Sequence, residues 1–322
     1  MSYTATIGFF DGVHRGHQHL IGQLLRVAAE RHEQSMAVTF NPHPRQTLQP
    51  GWQPQLLSTL DEKRRRLLSA GIDRVEVLRF DHEMAQRSAR SFMQWLHDEL
   101  DVSTLLMGYD NHFGHGRTEC FDDYVGYGRE IGIEVVCATP FSVGESTVSS
   151  SRIRQLLTQG DVEQAALCLG RPDSIGGTVV HGEQIGRQLG FPTANLQPDD
   201  TLQMVPKDGV YAVSLSIDGG QQQLQGMTNI GTRPTFDGTK RTLETHVFDF
   251  DENLYGHHIV VTFLARLRDE QHFATAEALT QQMQADARQA QRLFHLDTEE
   301  SDRERRPAHI DQDITKHIIT DL

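Results

Sequence analysis

Apolar and polar positions in the first half of the chain follow two alternating patterns. Short apolar runs are typical of buried strands, and the segments between them repeat apolar residues every three or four positions, as amphipathic helices do. The runs "TATIGFF" and "SMAVTF" enclose the helical segment "HLIGQLLRVAAERH" and predict a βαβ unit. Further strands are predicted at "RVEVL", "TLLMGY" and "IEVVCA", with helices near "STLDEKRRRLLSAG" and "ARSFMQWLHDEL". This order predicts an α/β domain built on a doubly wound parallel sheet, with ligands at the carboxyl ends of its strands.

After about Arg171 the chain changes to strand-like runs separated by Gly, Asn and Asp turns. "GVYAVSLSIDGG", "TLETHVFDF" and "HHIVVTFLARLR" are such runs, and they predict a separate, mostly β domain. A hairpin turn is predicted at Asp218, Gly219 and Gly220. Helical spacing returns in residues 274–294, and a weakly ordered, charge-rich tail is expected from about Asp297. We therefore predict domains at residues 1–171 and 172–296, followed by a tail at 297–322.

Composition narrows the class of partner. With 30 Lys and Arg against 44 Asp and Glu, the net charge is −14, which argues against a surface that neutralises nucleic-acid phosphates. The N-terminus shows no basic region followed by a long apolar stretch, and no later segment approaches a membrane span. Cys120, Cys137 and Cys168 are widely spaced and odd in number, so we expect reduced thiols that serve packing. These features predict a cytoplasmic protein with small-molecule substrates, and they leave its oligomeric state open.

The segment "GFFDGVHRGHQHLI", residues 8–21, predicts a phosphate site. A strand ending at Gly8, a loop with Gly12 and Gly16, and a helix beginning near His17 direct backbone N–H groups and a helix N-terminus toward one place. His14 and His17 add donors that stabilise charge on a phosphoryl group during transfer. The alternative is a pair of ordinary surface histidines at a helix start. The glycines and the strand-loop-helix order favour the phosphate site.

A second stretch, "TVSSSRIRQLL", lies at another predicted helix start. Ser149, Ser150 and Ser151 cap that helix or hold phosphate oxygens, and Arg152 and Arg154 supply planar donor pairs that suit β- and γ-phosphates. The alternative is an N-cap followed by solvated arginines. The presence of "HRGH" in the same chain favours phosphate binding.

In the second domain, "HGEQIGRQLGFPTAN" spaces Gly182, Gly186 and Gly190 four residues apart. That spacing permits close approach of backbone to phosphates, while Thr193 and Asn195 supply oxygen ligands for Mg²⁺. No GxxxxGK[ST] motif occurs, so an ATP site here is not a P-loop. A glycine-rich turn without ligands is the alternative.

Longer strings resemble a known family. "HRGH" resembles the HxGH signature of the nucleotidyltransferase superfamily. "GFFDGVHRGH", "FNPHPRQ", "GYDNHFGHGR" and "SSSRIRQLLTQGDVEQAALCLGRP" resemble the adenylyltransferase half of prokaryotic bifunctional riboflavin kinase/FMN adenylyltransferases. "GFPTAN", "KDGVYAV", "MTNIGTRPTF", "LETHVFDF" and "LRDEQHF" resemble the riboflavin kinase half, in order. The resemblance spans about residues 4–294 and implies a nucleotidyltransferase domain followed by a Greek-key barrel-like kinase domain with a C-terminal helix.

The resemblance also implies roles for particular residues. In the adenylyltransferase site it implies ATP binding by Gly8, Phe9, Asp11, Gly12, His14, Gly16, His17, Asp110, Ser149, Ser150 and Arg154, with His14 and His17 catalytic. It implies flavin contacts from Asn41, His43, Phe113, Arg268 and Phe273, and kinase-site ATP contacts from Gly182, Gly186, Gly190, Thr193 and Asn195. Glu244 of "LETH" is the implied general base for the ribityl 5′-hydroxyl. The alternatives are a rigid turn at "NPHP" and a solvent-facing strand carboxylate at Glu244.

The implied reactions are riboflavin plus ATP giving FMN and ADP, then FMN plus ATP giving FAD and pyrophosphate, both with Mg²⁺. One departure is Asn111, which stands where the family has the first aromatic residue of Asp-Phe-x-Phe-Gly and leaves the contact of that ring open. Three alternatives stay open. The chain is a flavin-binding or regulatory module that keeps the folds without the chemistry, an enzyme with one working half, or a nucleotidyltransferase for another phosphorylated acceptor.

Overall fold

The computed structural model describes residues 2–49, 51–108, 111–116, 118–141, 148–182, 185–235 and 238–305. A parallel sheet forms the N-terminal part, with strand order β3-β2-β1-β4-β5. Its strands are β1 Tyr3–Ile7, β2 Gln34–Asn41, β3 Arg74–Arg79, β4 Val102–Met107 and β5 Glu134–Cys137. The helices are α1 Arg15–Arg31, α2 Pro44–Leu48, α3 Leu60–Ser69, α4 His82–Gln86, α5 Ala89–Leu100, α6 Phe121–Ile131, α7 Ser150–Gln159 and α8 Val162–Leu169.

Helices cover both faces of this sheet, as the alternating strands and helices predict. Met36 of β2 packs in the cluster that includes Phe92 of α5. The next residue, Ala37, packs in the cluster that includes Ile21 of α1 and Leu67 of α3. Successive strand residues point to opposite faces, so both faces must be apolar. The predicted doubly wound sheet is therefore confirmed.

The second part is a closed antiparallel barrel with strand order β10-β7-β6-β11-β8-β9. Its strands are β6 Asp173–Val180, β7 Ala194–Pro198, β8 Gly209–Ile217, β9 Leu224–Thr235, β10 Gly238–Val247 and β11 His258–Arg268. The short helix α9 Ile185–Gln188 precedes β7, and α10 Ala276–Arg305 follows the barrel. The predicted hairpin joins β8 to β9, where Asp218 and Gly219 take the positive φ values of 48° and 72°. Strands β8 to β11 match the predicted β domain, and closure of the barrel follows from pairing with β7.

Two expectations need correction. The C-terminal helix continues past Phe294 to Arg305, into the segment expected to be a weakly ordered tail. "DTEESDRER" has neither Gly nor Pro, and Pro307 is the first helix breaker after Phe294. Cys120 and Cys137 are exposed and do not serve packing, whereas the half-buried Cys168 packs against the barrel core.

Across the described ranges, no helix is long and apolar enough to cross a membrane.

The two parts pack on each other through a shared core. Leu57 and Leu157, which lie outside the barrel, join Tyr211 and Phe263 in one buried cluster. A short backbone bridge adds to this contact. The N–H of Leu56 donates to the carbonyl of Leu202 at 2.8 Å, and the N–H of Met204 donates to the carbonyl of Leu56 at 2.7 Å. The sheet and the barrel thus share buried surface and hydrogen bonds.

Beside the shared core lies a polar cluster in which Glu62, Asp173 and Gln203 are buried and Arg66 and Arg171 are half-buried. The amide of Gln203 donates to Glu62 Oε2 at 3.4 Å and to the Ser174 carbonyl at 3.0 Å. Burial raises the pKa of Asp173 to about 7, against the opposing charges of Arg171 and Arg66. Burial also lowers the pKa of Arg171 to about 10. The cluster therefore holds charge at the junction at a cost in solvation.

We expect Asp173→Asn to flatten the pH dependence of unfolding. The folded protein binds the Asp173 proton more tightly than the unfolded chain, so the free energy of unfolding falls as pH rises from about 4 to about 7. This decrease in the free energy of unfolding is complete above pH 7 and amounts to at most about 4 kcal/mol. Urea unfolding at pH 5 and pH 8, followed by tryptophan fluorescence, measures the difference, with the exposed Asp122→Asn as control. Equal pH dependence in wild type and Asp173→Asn would contradict this assignment.

Candidate active sites

The turn between β1 and α1 is strained. Phe10 has a φ of 52°, Gly12 of 77° and Val13 of 43°. A β-branched residue at positive φ is a genuine outlier, and such conformations persist where surrounding contacts over-determine them. We call residues 8–14 the ATP turn, because the sequence predicts phosphate binding there.

Contacts from distant segments hold the ATP turn in place. The N–H of Gly12 donates to Ser58 Oγ at 3.1 Å, and Arg171 donates to the carbonyl of Gly12 at 2.8 Å. Asp11 Oδ1 accepts from the N–H of Leu57 at 2.9 Å. Residues 55–58, the bridging segment, thus bond the turn at Leu57 and Ser58 and bond the barrel at Leu56.

His14 and His17 lie together at the start of α1. His14 is the N-cap, its Nδ1 accepts from the N–H of His17 at 3.4 Å, and the two rings stack with centroids 3.7 Å apart. A Cβ at Gly16 would lie 3.2 Å from His14 Nδ1, so glycine lets the first helical turn close on the ring. Burial lowers the pKa of His14 to about 4 and holds the pKa of His17 well below its usual value. Both imidazoles are therefore neutral near pH 7 and offer ring N–H groups as donors.

The serine-arginine stretch reaches the same turn from α7. Ser149 caps α7 by accepting from the N–H of Arg152 at 3.3 Å. Ser150 Oγ donates to the carbonyl of Asp11 at 3.1 Å. Arg154 pairs with the buried carboxylate of Asp11 and donates to the carbonyl of Gln55 at 2.7 Å, while Arg152 is exposed. Ser149 is therefore an N-cap, as the alternative interpretation has it, and Arg154 faces the ATP turn, where phosphate binding stays a prediction.

A cavity of about 480 Å³ opens beside the ATP turn, and we call it the sheet cavity. Its walls are mostly apolar and aromatic and include Gly8, Phe9, Phe40, Phe80, Phe92 and Phe113. Asn111 also lines it, and its amide donates to the carbonyl of Ile7 at 2.6 Å. The amide of Asn111, which stands where the family has an aromatic residue, thus connects the 111–116 segment to the end of β1. Asp110 lies outside the described residues.

The "NPHP" segment forms the rim near this cavity. His43 caps α2 by accepting from the N–H of Arg45 at 3.0 Å, and Pro44 is the first helical residue. The His43 ring also lies 4.2 Å from that of Phe9, which lines the cavity. Asn41 ends β2 with an exposed side chain. The rigid-turn interpretation therefore describes His43 well, and its ring still faces the site.

The barrel holds a second cavity of about 230 Å³, which we call the barrel cavity. Glu244, Arg268 and Phe273 all line it. Glu244 of β10 stands opposite Asn195 of β7 and Asn229 of β9, so the three residues form a row across neighbouring strands. A carboxylate flanked by amides at the wall of a cavity is suited to accept a proton from a bound hydroxyl.

Two acidic residues in the barrel cavity were not predicted from the sequence. Arg268 makes a salt bridge to Asp286 of α10 at 2.8 Å, and Asp286 is almost fully buried. Glu270 lies over Gly231, where a Cβ would come within 2.1 Å of Glu270 Oε1. "LRDEQHF" contains Glu270, but Asp286 lies in an amphipathic pattern without a motif, and its pairing depends on how α10 docks.

Thr193 lies between the barrel cavity and a third cavity of about 550 Å³, the outer barrel cavity. Arg187 and Tyr255 line the outer barrel cavity, and the Tyr255 ring stacks on His181 at 3.9 Å. Thr193 is thus in a position to contact a group that spans both spaces.

The three glycines of "HGEQIGRQLGFPTAN" have different local roles. A Cβ at Gly182 would lie 2.2 Å from Asn195 Nδ2, and one at Gly186 would lie 2.4 Å from the carbonyl of Phe191. Gly190 has a φ of 82° and open space around it. Close packing explains the first two glycines, and a left-handed turn explains the third.

These features define a class of two-domain nucleotide-dependent transferases. Residues 2–152 match the model of the FAD synthetase family, and residues 169–294 match that of riboflavin kinase. The bifunctional riboflavin kinase/FMN adenylyltransferase of Pseudomonas fluorescens is 41% identical over 291 residues, covering 90% of this chain and 92% of the relative. That of Escherichia coli K12 is 38% identical over 292 residues, with the same coverage of 90% and 92%.

A solved structure from Streptococcus pneumoniae, described as a macrolide-efflux protein, superposes with a TM-score of 0.83 at 31% identity and covers 90% of this chain and 94% of its own. The chain belongs to the family of bifunctional riboflavin kinase/FMN adenylyltransferases, enzymes with both activities.

We expect Arg154→Met to destabilise the sheet domain by about 3 kcal/mol at pH 8, because it strips the buried Asp11 carboxylate of its cation. Burial already raises the pKa of Asp11, and loss of Arg154 raises it further, so stability falls as pH increases. The loss should be smaller at pH 5. Urea unfolding followed by the fluorescence of Trp52 and Trp95 measures it. Arg152→Met, on the same helix but exposed, is the control, and equal stability of the two variants would contradict the assignment.

Proposed function

We propose that this chain carries out both reactions of its family, phosphorylating riboflavin in the barrel and adenylylating FMN at the ATP turn. The observation that carries the proposal is the presence of two separate cavities, one in each part of the chain. The sheet cavity has aromatic walls, the barrel cavity combines apolar residues with Phe273, and each lies beside polar groups suited to phosphate chemistry. An isoalloxazine ring needs the apolar walls, and a triphosphate needs the polar groups.

In the barrel, Glu244 serves as general base. The ribityl 5′-oxygen attacks the γ-phosphorus of ATP while its proton passes to the Glu244 carboxylate, and the bond from the γ-phosphorus to the bridging oxygen of ADP breaks. Riboflavin occupies the barrel cavity beside Phe273 and Arg268, and the nucleotide occupies the outer barrel cavity. Thr193, which lines both, contacts the transferred phosphoryl group.

Thr193 and Asn195 are the residues that would hold Mg²⁺. Within the described ranges, no group of three His, Cys, Asp or Glu side chains is placed to hold a metal ion, so the protein has no all-protein cage there. Hydroxyl and amide oxygens beside substrate phosphates fit Mg²⁺, which keeps several waters and binds through few protein ligands. When bound, Mg²⁺ neutralises charge on the phosphates.

At the ATP turn, an oxygen of the FMN phosphate attacks the α-phosphorus of ATP, and the α–β bridging bond breaks to release pyrophosphate. His14 and His17 donate hydrogen bonds to the triphosphate as neutral imidazoles. His17 Nδ1 is buried and makes no hydrogen bond within the described residues, so a bound triphosphate would satisfy it. Arg154, beside the turn, adds positive charge.

The same proposal covers the domain limits and the location. Residues 1–171 form the adenylyltransferase domain, residues 172–296 form the kinase domain, and the segment from 297 to 322 lies outside both. Riboflavin, FMN and ATP are the partners, and the protein acts in the cytoplasm.

Two substitutions should separate the activities. His17→Ala removes a donor to the triphosphate and should lower FAD formation from FMN at least about a hundredfold, with FMN formation unchanged. Glu244→Gln removes the base and should lower FMN formation by roughly a hundredfold or more, with FAD formation from supplied FMN unchanged. Chromatography of the flavins measures both rates.

His19→Ala on α1 and the exposed Glu277→Gln on α10 are the matched controls and should resemble the wild type. If either test variant loses both activities while its unfolding midpoint stays at the wild-type value, the assignment of two independent sites is wrong.

A further inference from the structure

Lys63 is a buried cation that no motif of the sequence singled out. It lies on α3, one residue after Glu62 of the capping box, and only 3% of its surface is exposed. Its neighbours Arg64 and Arg65 on the same helix are exposed. Of these three consecutive basic residues, Lys63 is therefore the one whose side chain is buried.

The ammonium of Lys63 contacts the first half of the ATP turn. Nζ donates to the carbonyl of Phe9 at 3.0 Å and lies 3.9 Å from the centroid of the Phe9 ring. Thr39 of β2 donates to the same carbonyl at 3.1 Å. Lys63 thus fixes the peptide that precedes Phe10, where the strained part of the turn begins.

The charge on Lys63 is not needed to hold this peptide. Its acceptor is a neutral carbonyl, and Asp11, the carboxylate that faces Lys63, is already paired with Arg154. Burying an ammonium beside a neutral carbonyl and a carboxylate that Arg154 already pairs costs free energy that an apolar side chain of the same length would not. A second cation beside one carboxylate favours an anionic ligand nearby.

The surrounding charges point the same way. Lys63 and His14 act electrostatically on His17, and Arg154 and Arg171 act on His14. Beside the ATP turn, Lys63 and Arg154 both face Asp11, whereas Arg171 also faces Glu62 and Asp173 of the polar cluster. Lys63 and Arg154 therefore leave one positive charge in excess of Asp11 on the side where the proposed function seats the triphosphate.

We propose that Lys63 is a positioning residue for adenylyl transfer, which fixes the ATP turn through the Phe9 carbonyl and supplies buried positive charge to the bound triphosphate. This inference rests on the proposed function of the ATP turn. Lys63 acts through the turn and its field, and the histidines make the contacts.

The test compares Lys63→Met, which keeps length without charge, with Lys63→Arg, which keeps charge. Lys63→Met should lower kcat/KM for FAD formation roughly tenfold to a hundredfold and leave FMN formation unchanged. Arg64→Met, on the exposed face of α3, is the matched control and should keep both activities. If the wild type forms FAD and Lys63→Met forms it at the same rate, the inference is overturned and the proposed function stands. If the wild type forms no FAD, the proposed function itself is overturned.

A pH profile distinguishes charge from shape. Burial lowers the pKa of Lys63 to about 8, while Asp11 opposes the shift, and His17 is the other titratable group that faces it. Wild-type kcat/KM for FAD formation should therefore decline above about pH 8, and in Lys63→Arg the decline should move above about pH 9. A flat wild-type profile to pH 10, or a decline that stays near pH 8 in Lys63→Arg, would overturn the inference even if Lys63→Met fails to fold.

Discussion

The strained ATP turn depends on hydrogen bonds from the bridging segment. Residues 55–58 form hydrogen bonds on two sides. Leu57 and Ser58 bond the turn, while Leu56 bonds the barrel part through both its N–H and its carbonyl. A turn with Val13 at a φ of 43° does not hold its shape alone. The barrel therefore supports the proposed adenylyltransferase site as well as containing the proposed kinase site, and the two parts pack on a shared core.

The two proposed sites differ in the charges that face them. At the ATP turn, burial keeps His14 and His17 neutral beside fixed cations, so the site is prepared for a highly charged anion. In the barrel cavity, Glu244 and Glu270 face a space that also contains Arg268, and Asp286 pairs with that arginine. In the proposed function, the first arrangement stabilises the triphosphate. The second supplies the acceptor for the hydroxyl proton, while Arg268 pairs with Asp286.

Local motifs were predictable, and long-range partners were not. Glycines and histidines within a few residues define the ATP turn, whereas the row of Glu244 and Asn195 requires the pairing of β10 with β7, a strand that was not predicted. Arg154 and Asp11 are 143 residues apart, and Arg171 and Gly12 are 159 apart, so no spacing rule links them.

Lys63 was missed because "EKRRR" is typical of a solvated helix face, and only packing decides which residue is buried. β7 was missed because five residues that include a terminal proline show too little alternation to predict a strand.

The most direct test of the account is a time course of one sample of the protein with riboflavin, ATP and Mg²⁺, in which flavins, ADP and pyrophosphate are all quantified. The account predicts that FMN appears first and then declines as FAD accumulates, with one ADP for each riboflavin phosphorylated and one pyrophosphate for each FAD. Formation of neither flavin nucleotide, or of FMN that is never converted even in excess ATP, would contradict it.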